Sequence, residues 1–159
     1  YLPGYNHDSS WARGQAWALY GFTMCYRYTK NNDYLKLAEK IVEFIFSHEN
    51  MPEDFVPYWD FDVEDIRNAP RDVSAAAIIA AALYELSDYS VNKKDHLVQA
   101  NHILLNLSKK YASKPGENKG FILEQSTGSK PSNSEINVPL IYADYYYMEA
   151  ITRKLARKK

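Results

Sequence analysis

The residue types best suited to chemistry in this chain are concentrated in residues 11–17, which read Trp-Ala-Arg-Gly-Gln-Ala-Trp. A tryptophan offers a flat apolar face, and an arginine offers a permanent charge with a planar fork of donors that suits a carboxylate. An uncharged sugar needs mainly the aromatic face, whereas an acidic sugar needs both. Because Arg13 and Trp17 are four residues apart, a helix projects them from the same face. The segment is therefore a candidate site for a uronic acid.

The composition is that of one globular domain or of a piece of a larger one. The 159 residues are 46% hydrophobic and 14% aromatic, which is enough for a packed core. The net charge of −1 excludes a broad attraction to nucleic acid or to an anionic membrane, so neither partner is expected. The single cysteine, Cys25, excludes an intrachain disulfide. The histidines show no metal-ligand spacing, so no metal and no other cofactor is expected.

Apolar periodicity predicts an all-α chain of five helices. The first is expected from Ser9 or Ser10 to about Thr29, because serine is a common N-cap residue. Asp72 is expected to cap the third helix in the same way. The remaining helices are predicted at about 33–47, 72–89, 94–113 and 138–157, with irregular loops at about 49–71 and 114–137.

The second and fourth helices share an apolar pattern, since Leu35, Ala38 and Ile41 recur as Leu97, Ala100 and Ile103. In each case the pattern lies on the second helix of a helical hairpin whose first helix is more apolar. Such alternation is typical of an array with buried inner helices and amphipathic outer helices. Two hairpins and one further helix do not close a ring, so the chain is expected to be part of a larger toroid.

Four blocks of sequence resemble segments of the unsaturated glucuronyl hydrolases, in the order and spacing of that family. They are residues 4–17 (GYNHDSSWARGQAW), 56–62 (VPYWDFD), 70–77 (PRDVSAAA) and 141–146 (IYADYY). Each block alone is a weak signal, but four in order over nearly the whole chain are specific. The resemblance implies an (α/α)6 barrel. Residues 1–159 would then be a single segment that forms roughly half of the barrel, as its C-terminal portion.

The resemblance also implies an activity. The family removes a 4,5-unsaturated uronic acid from the non-reducing end of lyase-generated oligosaccharides, by protonating the double bond and adding water to C5. This is general acid–base work by aspartates, without the direct displacement of ordinary glycosidases. Those aspartates lie upstream of the block that matches Trp11, so no catalytic residue is assigned and the segment alone is expected to be inactive. The expected partners are an unsaturated uronate-containing oligosaccharide and the N-terminal half of the barrel.

Substrate-binding positions carry over from the family residue by residue. Trp11 and Trp17 match its active-site tryptophans and Arg13 matches its arginine, which implies stacking on a sugar and contact with an acidic group. Gln15 belongs to the same motif. The sequence departs from the family at Pro3, where relatives often have a glutamine that reaches the substrate.

A second region is implied by the resemblance alone. In some relatives, a loop with serine and lysine before the last helix recognises sulfated sugars. Residues 126–130 are similar but spaced differently. They make Ser126 and Lys130 candidate contacts for a sulfate group.

The residue types leave several alternatives open. Large aromatic residues mostly serve packing, so Trp11 and Trp17 are also candidate core residues. A buried Arg13 needs an acidic partner, which can belong to the protein or to a ligand. Tyr58 and Trp59 either line the mouth of the barrel or anchor the long loop.

At the level of function, the alternative to an enzyme is a non-catalytic helical module that binds a protein or an oligosaccharide. For the structure, an open part of a barrel is expected to expose inner-helix residues such as Ile78 and Ile79. Gly14 is expected at a close helix–helix contact.

Overall fold

In the computed structural model, which describes residues 4–157, five α-helices form the framework. They are α1 (Ala12–Thr29), α2 (Asn32–Ser47), α3 (Val73–Leu86), α4 (Lys93–Asn106) and α5 (Ile141–Ala156). A π-helical turn, Leu107–Tyr111, follows α4 directly, and short 3-10 turns occur at Ile66–Asn68 and Asn118–Gly120. The predicted mainly helical fold is confirmed. No helix among the described residues is long and apolar enough to cross a bilayer.

The helices are arranged in two layers. α3 packs against α1, α5 and α4, while α2 packs against α1. The inner helices α1, α3 and α5 run in the same direction. The ion pairs between them show this, since each pair joins corresponding ends of two helices. Arg13 meets Asp72 at the N-terminal ends, and Glu85 meets Arg27 and Arg153 at the C-terminal ends. This alternation of inner and outer helices is the one that the repeated apolar pattern predicts.

α3 is the centre of the inner layer, and all 14 of its residues are buried. Because the many alanines of α3 have small side chains, α1 and α5 lie close enough for side chains of these two helices to touch each other. The expectation that Ile78 and Ile79 lie on an open edge is therefore wrong, since both are fully buried. The large exposed apolar side chains of the inner layer belong instead to α1 and α5, and they are Trp17, Met24, Tyr28, Ile141, Tyr145, Met148 and Leu155.

The second predicted loop contains an antiparallel hairpin of β1 (Ser126–Ser129) and β2 (Ser134–Val138). The loop interpretation was wrong at this point because both strands are mostly polar and lack the apolar alternation that signals a strand. Three residues of the hairpin, Asn133, Glu135 and Asn137, have positive φ. The N–H of Val73 donates to the carbonyl of Gln125 at 3.3 Å, which joins the hairpin to the first turn of α3.

α1 begins later than predicted, and its N-cap Trp11 makes no capping hydrogen bond with its side chain. The serines expected to cap the helix bind the α2–α3 loop instead. Ser9 Oγ donates to Asp60 Oδ2 at 2.8 Å, and the N–H of Ser10 donates to Asp62 Oδ2 at 2.6 Å. The loop is thereby fixed against the N-terminal end of α1.

Asp54, which belongs to the same loop, ties it to other parts of the chain, and its side chain is only 9% exposed. Asp54 accepts hydrogen bonds from Arg71 Nη1 at 3.2 Å and from the Tyr111 hydroxyl at 2.9 Å. Burial opposes ionisation of this carboxyl group. The Val56 N–H, the Tyr111 hydroxyl and the charges of Arg71 and Lys110 outweigh burial and lower the pKa of Asp54 below its ordinary value.

The lowered pKa of Asp54 predicts a loss of stability in acid. A carboxyl group with a lower pKa in the folded chain contributes stability above its unfolded pKa, about 4, and loses it as pH falls toward the folded value. We expect Asp54→Asn to lower the free energy of unfolding at neutral pH by about 1–3 kcal/mol and to flatten its decline in acid. Urea unfolding over a pH series measures both effects. The control is Asp95→Asn, at an exposed position. If the free energy of unfolding declined equally steeply in acid for the two variants, Asp54 would not be the source of the acid sensitivity.

Candidate functional site

The N-terminal ends of the three inner helices meet beside the hairpin, and Arg13 lies at the centre of this meeting point. The side chain begins on the first turn of α1, reaches the first turn of α3 and continues to β1. Arg13 is only 6% exposed. A charge at this depth requires partners, and the structure supplies them from several elements.

Arg13 donates four hydrogen bonds to protein acceptors. Nη1 lies 3.0 Å from Asp72 Oδ2, 3.2 Å from Ser74 Oγ and 2.6 Å from the Thr127 carbonyl, while Nη2 lies 2.6 Å from the Gly128 carbonyl. Burial raises the pKa of the fully buried Asp72, and the charge of Arg13 and the Ser74 hydroxyl oppose that rise. The acidic partner of Arg13 is therefore a protein side chain. Since Nη1 has two hydrogens for three acceptors, only Nη2 and Nε retain donor capacity for a ligand.

Two aromatic rings complete the surroundings of Arg13. Its guanidinium carbon lies 4.8 Å from the centroid of Trp11 and 5.3 Å from that of Tyr142. Both distances allow cation–π attraction. Trp11 therefore gives one face of its indole to the protein, which leaves at most the other face for a sugar.

Gly14 provides the space that the Trp11 ring occupies. A β-carbon at position 14 would lie 2.9 Å from Trp11 Cε3, closer than such atoms normally approach. The expected helix–helix contact at Gly14 is therefore corrected, because the close contact is with the indole at the start of the same helix.

A row of aromatic contacts joins α1 to α5 on the same side of α1 as Arg13. Trp17, which is 36% exposed, packs edge-on against Tyr146 with ring centroids 5.1 Å apart, and Tyr20 contacts that ring at 5.2 Å. Arg13 and Trp17 are four residues apart, as are their partners Tyr142 and Tyr146. The prediction that Arg13 and Trp17 share a face is confirmed. We call these five residues the α1–α5 wall.

A charged network continues the wall toward the C-terminal ends of the helices. The Tyr20 hydroxyl donates to Glu149 Oε1 at 3.1 Å. Arg153 Nη2 lies 3.3 Å from the same oxygen and 2.9 Å from Glu85 Oε2. Burial, followed by the charge of Glu149, raises the pKa of Tyr20 to about 12, so its hydroxyl stays a neutral donor. The wall therefore adjoins a network of paired charges at its Tyr20 end, while Arg13 and the aromatic rings form the wall itself.

The other predicted contact residues differ in their accessibility. Gln15 is half-buried on α1, and Lys130 is partly exposed in the hairpin turn. Ser126 is fully buried at the start of β1, so its hydroxyl does not line an open surface and, in this structure, is out of reach of a sulfate group. Trp59 is 5% exposed, which favours its role as a loop anchor. Pro3 lies outside the described residues.

Three buried carboxylates at this end of the fold already accept hydrogen bonds from the protein. Asp72 binds Arg13, and Asp60 Oδ2 accepts from the N–H of Tyr5 at 2.8 Å. Asp144 accepts from the N–H groups of residues 122 and 123 at 2.8 and 2.9 Å. These groups are committed to holding the fold, so the arrangement is suited to binding and orienting a ligand rather than to general acid–base chemistry. Within residues 4–157, no cluster of metal-ligating side chains occurs.

Sequence reasoning misses part of this site. It assigns Asp72 to helix capping alone, whereas Asp72 both caps α3 and pairs with Arg13. The carbonyl groups of Thr127 and Gly128 leave no side-chain signal at all. Tyr142 could have been found, because its four-residue spacing to Tyr146 matches the spacing of Arg13 and Trp17.

The space at Gly14 gives a test with a matched control on the same helix. An alanine at position 14 must displace the Trp11 ring, so we expect Gly14→Ala to lower the free energy of unfolding by about 1–3 kcal/mol. Nothing lies within 4 Å of a β-carbon at Gly21, so Gly21→Ala should raise it by up to about 1 kcal/mol through helix propensity. Denaturant unfolding measures both variants. Equal stabilisation by the two alanines would show that Gly14 does not hold this space for Trp11.

The chain has relatives among curated proteins and solved structures, although no protein-family model matches it. It is 52% identical over 152 residues to an unsaturated glucuronyl hydrolase of Formosa agariphila, covering 95% of this chain and 38% of that protein. It is 34% identical to an unsaturated chondroitin disaccharide hydrolase of Streptococcus pyogenes, covering 94% and 38%. The chain thus spans about two-fifths of the length of these relatives.

Solved structures give the same result. The crystal structure of an unsaturated glucuronyl hydrolase specific for heparin matches with a TM-score of 0.96 and 49% identity, covering 99% of this chain and 43% of that one. The enzyme of Bacillus sp. GL1 matches with a TM-score of 0.90 and 30% identity, covering 96% and 41%. The hairpins of α1–α5 correspond to part of the α/α barrel of these structures. The chain belongs to the family of unsaturated glucuronyl hydrolases.

Proposed function

We propose that the protein containing this chain removes a 4,5-unsaturated uronic acid from the non-reducing end of lyase-generated oligosaccharides. The observation that carries the proposal is the identity of 52% with an unsaturated glucuronyl hydrolase over 95% of the chain. The α1–α5 wall supports it, because an exposed indole next to a buried arginine suits an acidic sugar.

In this proposal the chain supplies binding and orientation rather than the proton transfers. The reaction needs an acid that protonates the double bond and a water that adds to C5, which is general acid–base catalysis. The buried carboxylates Asp60, Asp72 and Asp144 already bind protein donors. In line with the resemblance to the family, we place the catalytic carboxylates in an N-terminal portion of the protein, upstream of residue 11, and expect residues 1–159 to be inactive alone.

We assign different tasks to the predicted binding residues. Trp17 offers a partly exposed ring that is held in position by its contact with Tyr146, so it stacks on a sugar face. Trp11 presents the indole face that Arg13 leaves open, and Gln15 lies between the two tryptophans in the sequence, on the first turns of α1. Arg13 acts chiefly as a positioning residue, since most of its donors bind the protein. For a uronate carboxylate, Arg13 still offers its positive charge and the hydrogens on Nη2 and Nε that do not bind the protein.

The activity is tested on the full-length protein with unsaturated disaccharides, by following the ultraviolet absorbance of the 4,5-double bond. We expect this absorbance to disappear, and we expect Trp17→Ala to lower kcat/KM by about tenfold to a hundredfold, or about 1.4–2.8 kcal/mol. Met24→Ala is the matched control, because Met24 has the same 36% exposure further along α1. Arg13→Ala should lower activity as well as stability.

Persistence of the absorbance with every unsaturated uronide would overturn the enzymatic proposal and favour a non-catalytic helical binding module. Equal activity of Trp17→Ala and Met24→Ala would retain the enzyme but remove Trp17 from its substrate site.

We further propose that the remaining part of the barrel packs against an exposed stripe of α5. The stripe consists of Ile141, Tyr145, Met148 and Leu155, which are 71%, 61%, 48% and 54% exposed. Their spacing of three, four and seven residues places them along one face of the helix. The relatives are more than twice as long as this chain, so they contain enough additional structure to cover such a face.

The exposed stripe predicts that the isolated 159-residue chain associates with itself. The double substitution of Tyr145→Ser and Met148→Ser should reduce this association, because it removes apolar area from the stripe. The control replaces Val91 and Val98, which are 94% and 67% exposed on the outer side of the fold, with serine. Sedimentation velocity distinguishes the variants. A wild-type chain that is a monomer at all concentrations would contradict an uncovered α5 stripe.

A further inference from the structure

The indole of Trp17, which the proposed function places against a sugar, is held from the other side of the inner layer. Its ring is 36% exposed and meets Tyr146 of α5 edge-on, with centroids 5.1 Å apart and planes inclined at 75°. An edge contact of this kind orients a ring only as well as its neighbour is itself held in place. The support of Tyr146 therefore decides where the exposed indole face points.

Two further tyrosines contact Tyr146. Tyr20 of α1 lies 5.2 Å from it with the ring planes inclined at 78°, and Tyr145 of α5 lies 4.9 Å from it at 81°. Tyr145 is 61% exposed, whereas Tyr20 is half-buried and reaches α5 with its hydroxyl. Tyr20 is therefore the more firmly held of the two supports.

The hydroxyl of Tyr20 belongs to a closed set of three polar groups, which we call the Tyr20 triangle. It donates to Glu149 Oε1 at 3.1 Å and accepts from Arg153 Nη2 at 3.4 Å. The third side of the triangle joins Arg153 Nη2 to Glu149 Oε1 at 3.3 Å. A single oxygen atom of Glu149 therefore serves both donors, so the loss of this oxygen opens two of the three sides.

Arg153 attaches the triangle to the buried helix α3. Its Nη1 donates to the Ala81 carbonyl at 2.6 Å, and its Nη2 lies 2.9 Å from Glu85 Oε2. These contacts to α3 do not involve Glu149, so they remain when Glu149 is replaced. A substitution of Glu149 thus acts first on the hydroxyl of Tyr20 and only then on the packing of the inner helices.

We propose that Glu149 is a positioning residue for the proposed reaction, which fixes the Trp17 indole through Tyr20 and Tyr146. The inference rests on the proposed function and deepens it, because it assigns to an ion-paired residue of α5 the orientation of the ring on which the sugar stacks. A purely structural ion pair would affect the free energy of unfolding but would leave the environment of Trp17 and the binding of substrate unchanged.

The first test separates KM from kcat in the full-length protein with an unsaturated disaccharide. Tyr20→Phe keeps the ring and removes the donor, and Glu149→Leu removes the acceptor. We expect both to raise KM by about threefold to tenfold and to change kcat by less than about twofold, because a misplaced stacking ring weakens binding of substrate and transition state alike. Glu149→Gln keeps an amide oxygen as acceptor and should retain a KM within about twofold of the wild type.

The matched controls make the same chemical changes away from the triangle. Tyr28→Phe removes a hydroxyl from an exposed ring further along α1, and Glu43→Leu removes an exposed carboxylate from α2. Neither should alter KM. Equal increases of KM in Glu149→Gln and Glu149→Leu would show that the hydrogen-bond acceptor is not what matters and would overturn the inference.

A spectroscopic test does not depend on activity. The full-length protein is labelled with 5-fluorotryptophan, and the ¹⁹F NMR resonance of Trp17 is identified as the one lost in Trp17→Phe. Tyr20→Phe and Glu149→Leu should shift or broaden this resonance, whereas Glu149→Gln and the two controls should leave it in place.

The two tests distinguish failure of this inference from failure of the proposed function. If no unsaturated disaccharide is hydrolysed, the proposed function fails, while the resonance of Trp17 still shows whether Glu149 holds the indole. A resonance that is unchanged in both Tyr20→Phe and Glu149→Leu would overturn the inference. A resonance that moves while KM keeps its wild-type value would also overturn it, because the position of Trp17 would then have no effect on the substrate.

Discussion

The buried positive charge of Arg13 determines how this end of the fold is built. A guanidinium that is 6% exposed is stable only with an ionised partner and with acceptors for its hydrogens. Asp72, the N-cap of α3, supplies the negative charge, and two carbonyl groups of β1 supply further acceptors. One side chain of α1 thereby joins the N-terminal end of α3 to a hairpin whose own strands are polar and irregular.

The small residues of α3 explain why the site forms across the inner layer. Because α3 is rich in alanine and completely buried, α1 and α5 lie close enough for Trp17 and Tyr20 to contact Tyr146 above it. The α1–α5 wall has an exposed indole, whereas the neighbouring surface beyond Tyr20 is occupied by the Glu85, Glu149 and Arg153 network. This difference leaves exposed aromatic surface next to the deeply buried cation of the Trp11–Arg13 turn, and we propose that a sugar binds there.

The framework of the fold could be predicted from the sequence because its signals are local. Apolar spacing located the five helices, and the repeated Leu-Ala-Ile pattern identified the outer ones. The hairpin could not be found in this way, because it is attached by hydrogen bonds from Arg13 to a carbonyl of β1 and from Val73 to the carbonyl of Gln125, just before β1, and backbone acceptors leave no signal in the sequence. The start of α1 was also misplaced, since Ser9 and Ser10 bind the loop carboxylates rather than the helix. For the candidate site, residue types drew attention to Arg13 and the tryptophans, whose role in binding stays a prediction, whereas the pairing of Arg13 with Asp72 depends on tertiary packing.

The central claim is that the Arg13–Asp72 pair couples α1, α3 and the hairpin into one site. A double-mutant cycle of Arg13→Met and Asp72→Asn, with the free energy of unfolding as its readout, tests this claim most directly. Each single substitution leaves one buried charge or polar group without its partner, so the account predicts a coupling energy of about 2–3 kcal/mol or more. A coupling energy near zero, with the two single effects simply adding, would show that the two residues act independently and would contradict the account.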